Sequence, residues 1–183
     1  MAKLIYTAIC SLDGYTADAD GGFDWAAPDE QVHAFVNDLE RPIGTYLYGR
    51  RLYETMRVWQ DLGDHENPVV RDFALMWQSA QKIVYSAALD GVSTTDTTLE
   101  RSFEPTAVAA LKGSSGSDLS IGGATLAGIA LAAGLVDEVR LFLAAAIVGG
   151  GTRALPDAVR RKLTLLDERR FDSGVVYLRY AVA

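Results

Sequence analysis

Apolar and polar residues alternate with two different periods along this chain, and the switches between them outline its elements. Lys3 to Ser11 is a nearly unbroken apolar run ended by the Asp13-Gly14 turn, which predicts a strand. From Pro28 the period becomes helical: Val32, Phe35, Val36 and Leu39 fall at i, i+3, i+4 and i+7 and share one face. Pro28 suits the first helical position, Asp29 and Glu30 suit the positive first turn, and Pro42 and Gly44 close the segment.

The alternation continues. Thr45 to Tyr48 predicts a short strand, Gly49-Arg50 a turn, Arg51 to Trp59 a helix, and Asp61 to Pro68 a polar loop. Val69 to Gln78 predicts a helix and Lys82 to Ser86 a strand, followed by a Ser/Thr-rich connection with a short strand near Val92 or Leu99. Pro105 to Leu111 predicts a helix and Gly113 to Asp118 a loop. Leu119-Ser120-Ile121 then runs as a strand into Gly122-Gly123 and a helix reaching Gly134. Glu138 to Val148 is a long apolar strand whose continuous run implies burial on both faces, broken by Gly149-Gly150-Gly151. Leu163 to Arg170 and Val175 to Ala183 form a hairpin turning at Asp172-Ser173-Gly174. Strands alternating with helices predict an α/β layered fold, with residues 1–183 as one domain.

Composition narrows the function classes. Of 183 residues, 49% are apolar and 22% charged, and the net charge of -7 argues against nucleic acid or an anionic membrane as partner. Cys10 stands alone inside an apolar run, so a disulfide framework and a cysteine-based zinc site are excluded within one chain, and the thiol is expected to be buried and inert. No apolar run reaches the roughly 20 residues of a membrane span, and no signal-peptide pattern opens the chain, so a soluble cytoplasmic protein is expected. A P-loop, a G-x-G-x-x-G fingerprint, a zinc-deaminase signature and a G-x-S-x-G elbow are all missing.

What remains fits nucleotide binding and proton delivery without a metal. Gly122 and Gly123 let the backbone approach a ligand, and the helix start behind them offers unpaired N–H groups to a phosphate; a tight turn is the alternative. Gly49-Arg50 offers turn amides and a guanidinium fork, the alternative being a solvated arginine; spacing alone makes Arg51 solvent-facing. Ser86 could donate to a phosphate or ribose, or cap its strand. Glu30 is the candidate proton donor, provided a semi-apolar pocket raises its pKa; otherwise it serves the helix dipole. Asp13 is a turn residue by its spacing, and His33 a half-buried polar one.

These residues, in order, resemble the dihydrofolate reductase-like superfamily, especially the reductase domain of riboflavin-biosynthesis deaminase-reductases and its stand-alone relatives. Ser11-Leu12-Asp13-Gly14-Tyr15 is similar to the S-L-D-G segment after the first strand, and Trp25 to Glu30 to the W-x-x-P-x-D/E opening of the substrate-side helix. Gly49 to Glu54 resembles G-R-x-T-[WY]-E, and Ile121 to Ala124 the I-G-G-[GA] loop under the cofactor pyrophosphate. Leu135 to Val139 and Gly149 to Thr152 match G-L-V-D-E-[LV] and L-G-G-G-T.

The resemblance implies a three-layer α/β/α fold with a mostly parallel central sheet and an antiparallel C-terminal hairpin. It implies NADPH as cofactor, held by Ala8, Gly49, Arg50, Arg51, Ser86, Gly122, Gly123, Ala124 and Thr125. Glu30 becomes the catalytic carboxylate, Trp25 and Asp13 substrate-side residues, and no metal is called for. Hydride passes to a C=N or C=O carbon of a heterocyclic or ribosylamino substrate, the riboflavin-pathway pyrimidine ribosylamino phosphate being the type case. The deaminase half and the T-V-x-x-D-x-P element are absent, and only Arg71 is near the place of a folate-tail arginine. A same-fold reductase of dihydrofolate or another small molecule, and a non-catalytic nucleotide-binding protein, are the alternatives. A homodimer is expected, with strand 138–148 and the C-terminal hairpin pairing across a two-fold axis.

Overall fold

The computed structural model describes residues 1–157 and 159–183. The strands are β1 (Leu4–Ser11), β2 (Tyr15–Ala17), β3 (Ile43–Gly49), β4 (Gln81–Tyr85), β5 (Thr97–Glu100), β6 (Asp118–Gly122), β7 (Glu138–Ala144), β8 (Thr152–Arg153), β9 (Leu163–Arg170) and β10 (Val176–Val182). The helices are α1 (Glu30–Glu40), α2 (Arg50–Met56), α3 (Pro68–Ser79), α4 (Pro105–Ser114) and α5 (Ala124–Ala132). Eight strands make one sheet in the order β5-β4-β3-β6-β1-β7-β10-β9, while β2 and β8 pair apart from it. From β5 to β7 every pairing is parallel; β10 then runs antiparallel to β7 and to β9. This is the mostly parallel sheet with an antiparallel hairpin that the motifs imply.

Period-two alternation assigns the central strands to both faces. Leu4, Tyr6, Leu47, Leu119 and Ile121 pack with Val108 of α4 and with Ala127, Ala130 and Leu131 of α5. Ile5, Tyr46, Tyr48 and Val84 point the other way and meet Phe73 and Trp77 of α3. Because both faces are covered, these strands carry near-continuous apolar runs. At the β7–β10 end, Phe35 of α1 stands edge-on to Phe142, Phe171 and Tyr177, with ring centroids 5.0–6.2 Å away.

Helix boundaries differ from the periodicity by local capping. Asp29, placed in the first turn by the pattern, is instead the N-cap of α1: its carboxylate accepts from the Val32 N–H at 2.9 Å, and the helix begins at Glu30. The helix predicted to run to Trp59 ends at Met56 and continues as a 3-10 turn over Arg57–Asp61. Strand β7 stops at Ala144, not Val148, where the ladder with its partner β1 ends, Ser11 being opposite Ala144. The chain then turns away, with the Leu12 N–H donating to the Ala146 carbonyl at 2.8 Å. β7 also lies between β1 and β10, so both its edges are taken and it cannot pair with a second copy, contrary to the expectation for strand 138–148. Among the described residues, only the outer edge of β9 is open on that side of the sheet.

Candidate active site

A cavity of about 1320 Å³ opens at the carboxyl ends of the parallel strands, where open α/β sheets bind ligands. Its floor is the stretch Tyr6 to Ile9 of β1. One wall comes from the residues following β3, β4 and β5, and the other from the segment between β2 and α1.

Gly123 and the start of α5 stand between the two. Gly123 has φ +88°, a left-handed conformation that side chains resist, and serves as N-cap without a side chain. The first intrahelical bond runs from the Ala127 N–H to the Gly123 carbonyl at 2.9 Å, leaving the N–H groups of Ala124, Thr125 and Leu126 as the open end of the helix. Gly123, Ala124, Thr125 and Leu126 all line the cavity. This is a helix start suited to an anion.

Gly122 is different. It is buried and does not line the cavity; a Cβ there would run into Leu52 Cδ2 and lie 3.4 Å from the Tyr48 ring. Close packing of β6 against α2 is what Gly122 serves here rather than the cavity lining, and Leu52, expected to face inward from its helix, reaches the cavity.

Ala8, Gly49, Arg50, Arg51 and Ser86 line the same cavity. Gly49 is the N-cap of α2, again without a side-chain cap, and Arg50 and Arg51 open that helix, both exposed. Arg50 makes only a 3.8 Å approach to Glu54, so its guanidinium is not committed to an internal partner, and Arg51 also borders the cavity, whereas spacing had assigned it to solvent. Ser86 Oγ accepts from the Ala88 and Leu89 N–H groups at 3.2 and 3.1 Å, which is the strand-end cap, and its hydroxyl proton remains to be donated. Arg101, just after β5, also lines the cavity and donates to the Leu89 carbonyl. No sequence signal marks Arg101, because β5 is four residues long and follows an irregular connection.

The substrate-side expectations fare differently. Glu30 is exposed, lies outside the cavity lining, and accepts from Asn67 Nδ2 at 3.4 Å, tying the start of α1 to that of α3. Its carboxylate therefore faces the start of α3 rather than the cavity. Trp25 is half-buried in a 3-10 turn over Asp24–Ala26, and successive residues of such a turn point about 120° apart. Asp24 and Ala26 line the cavity while Trp25 does not. Asp13 is also outside the lining; its carboxylate accepts from the Val148 and Gly149 N–H groups at 3.2 and 2.8 Å. Through them it holds the 149–151 loop, where a Cβ on Gly151 would collide with the Ala17 carbonyl oxygen. Gly151 and Thr152 border the cavity, so Asp13 shapes that border from behind.

Asp18, Asp20 and Asp24 are the carboxylates that do line it. Asp18-Ala19-Asp20-Gly21-Gly22 is a legible turn signal, yet nothing in its spacing shows that the turn faces a cavity. Thr7 of β1 lines it too, and its buried Oγ1 has no hydrogen-bond partner among the described residues. His33 is half-buried edge-on to Trp59 at 5.6 Å, and burial pushes its pKa below the usual histidine value. Cys10 is buried, with its thiol pushed up to about 11 by burial. Among the described residues no group of three His, Cys, Asp or Glu is arranged to hold a metal, and no helix is long and apolar enough to cross a membrane.

The residues present fit a dinucleotide. The backbone cradle at Gly123, the open start of α5 and three arginines share one cavity large enough to hold it.

Known proteins agree with the architecture. The chain is 29% identical over 189 residues to the uncharacterized protein YyaP of Bacillus subtilis, an alignment covering 97% of this chain and 94% of that one. A candidate riboflavin biosynthesis protein from Shewanella sp. PV-4 superposes with a TM-score of 0.76 at 21% identity, covering 100% of this chain and 99% of the other. A dihydrofolate reductase from Enterococcus faecalis, complexed with NADP(H) and RAB-propyl, superposes with a TM-score of 0.62 at 14% identity, covering 98% and 96%. The fold is thus the dihydrofolate reductase-like one. Residues 2–177 match the RibD C-terminal domain, and the chain belongs to that family.

Proposed function

We propose that this protein is an NADPH-dependent reductase of a small heterocyclic or carbonyl-bearing substrate. The observation that carries the reading is the meeting of Gly123 and the open α5 start with Arg50, Arg51 and Arg101 around one cavity. Membership of the RibD C-terminal domain family and the fold shared with a dihydrofolate reductase that binds NADP(H) support it.

The bound nicotinamide would supply the hydride. The chain's own residues bind and orient. The helix-start amides of α5 and the arginines neutralise phosphate charge, and Ser86 donates its hydroxyl proton to a phosphate or ribose oxygen. Ala8, with Tyr6, Thr7 and Ile9 of β1, forms the floor on which the cofactor would rest. Asp24, on the cavity wall, replaces Glu30 in this reading as the carboxylate placed to pass a proton to the substrate. The position of Glu30 outside the cavity is also what favours the rival reading, a nucleotide-binding protein without turnover. Fluorescence titration with NADPH followed by an NADPH-consumption assay on candidate substrates separates the two: binding without consumption supports the rival, and no binding removes both.

We further propose a cytoplasmic homodimer joined through β9. That strand is exposed over its whole length from Leu163 to Arg170 and forms the outer edge of the sheet, leaving a row of backbone donors and acceptors to be paired.

A further inference from the structure

The charged residues lining the cavity separate by sign. Arg50 and Arg51 follow β3, and Arg101 follows the edge strand β5. Asp18, Asp20 and Asp24 all come from the segment between β2 and α1, which packs beside β1 and β8. In the sheet, β5, β4 and β3 are adjacent, whereas β1 stands beyond β6. The cationic and anionic walls are therefore on opposite sides of the Gly123–α5 cradle. Among the described residues, no lysine, arginine or histidine lines the carboxylate side.

The Asp18 carboxylate is also held in place. Asp18 Oδ1 accepts from the Asp20 and Gly22 N–H groups at 3.0 and 2.8 Å, and the Asp18 carbonyl accepts from the Gly21 N–H at 3.1 Å. The turn fixes the Asp20 backbone through its N–H, and Asp24 opens the 3-10 turn. Between the walls, Thr7 offers a hydroxyl without a partner among the described residues.

We infer that the substrate sharing this cavity is neutral or cationic and carries no phosphate or carboxylate group. The inference rests on the NADPH reading, which assigns the arginine wall to the nucleotide's phosphates and leaves the carboxylate wall to the substrate. An anionic group there would meet three like charges and no counter-charge, whereas an amine, an amidine-like ring nitrogen or sugar hydroxyls would find acceptors. The pyrimidine ribosylamino phosphate of riboflavin biosynthesis is thereby disfavoured against its dephosphorylated form.

The test uses the full chain loaded with NADPH, whose bound nicotinamide emission is quenched by iodide and, separately, by N-methylpyridinium at fixed ionic strength. Each quenching constant is normalised to that of free NADPH. The expected result is quenching by the cation about threefold or more above that by iodide, and a ratio near one in Asp20→Asn/Asp24→Asn. Iodide quenching equal to or above the cation's, or a ratio unmoved by the double variant, overturns the inference. Absence of any bound-nicotinamide emission instead overturns the cofactor reading beneath it, and the two failures are told apart before a quencher is added.

Discussion

Gly122 of β6 lies so close to Leu52 of α2 that a single added carbon would overlap the leucine's Cδ2 atom. Its neighbour Gly123 has ordinary room, its nearest Cβ contact being Leu52 Cβ at 3.6 Å, but a backbone at φ +88°. The two adjacent glycines are thus required for different physical reasons, and substitution separates them. Gly122→Ala overpacks the β6–α2 contact and should cost about 1–3 kcal/mol of stability. In a Leu52→Ala background most of that penalty should disappear in a denaturant double-mutant cycle. Gly123→Ala should cost about 1–2 kcal/mol through strain in the left-handed conformation and weaken NADPH binding about tenfold, as the α5 cradle shifts to relieve it. Equal losses in both variants for both quantities would contradict this division.

Two carboxylates near α1 divide in the same way. Glu30→Gln should leave turnover within about twofold of wild type, because the Glu30 side chain meets Asn67 rather than the cavity. Asp24→Asn should lower kcat about a hundredfold if Asp24 passes the proton. The comparison is read from NADPH consumption at saturating substrate; a loss in Glu30→Gln with none in Asp24→Asn would return the acid to α1.

Stability should depend on pH through two buried carboxyls of opposite sign. Burial pushes the Glu40 carboxyl up to about 7, although the Arg140 charge and the Tyr46 hydroxyl pull it down. For Glu138, burial also acts upward, but hydrogen bonds from Arg179 and Lys3 and the charges of Arg179 and Arg140 outweigh it and hold it at about 2. The folded state therefore keeps the Glu40 proton after the unfolded chain has released it, so stability falls as pH rises from about 4.5 to 7. The Glu138 contribution is complete above the unfolded value near 4.5 and is lost as pH falls towards 2. Each amounts to at most about 3 kcal/mol, less for Glu138 because its partners Lys3 and Arg179 reach solvent. Glu40→Gln should stabilise the protein at about pH 8 and make no difference at about pH 4 by chemical denaturation. A gain that persists unchanged at the lower pH would contradict the assignment.

The β9 edge sets the expected assembly. Light scattering should give twice the 19.7 kDa mass of one chain. Leu163→Lys/Leu165→Lys, at two exposed apolar positions of that edge, should shift the mass to one chain without loss of secondary structure. A monomeric wild type refutes the dimer.

Much of this fold was legible because its signals are local and repeated. The helical face Val32-Phe35-Val36-Leu39, the strand–glycine–helix sequence around Gly122-Gly123, and the Asp172-Ser173-Gly174 hairpin turn each follow from period or turn chemistry. Strands β2 and β8 escaped because two or three residues carry no period, and the end of β7 escaped because pairing with β1, not apolarity, decides it. The nucleotide wall was legible where motifs fall at strand ends. Arg101 and the Asp18–Asp24 carboxylates were not, since their convergence depends on how a short edge strand and an irregular segment pack. Glu30 and Trp25 illustrate the reverse: correct motif spacing did not bring either side chain to the cavity, because capping by Asp29 and the 3-10 turn fix their directions.

A nicotinamide nucleotide is expected to seat on the Gly123–α5 cradle and the arginine wall. Fluorescence titration of the full chain with NADPH, alongside NADH, measures this seating. A dissociation constant in the micromolar range for NADPH, weakened about tenfold or more by Arg50→Ala, is the predicted result. Binding of neither nucleotide below roughly 1 mM would contradict it.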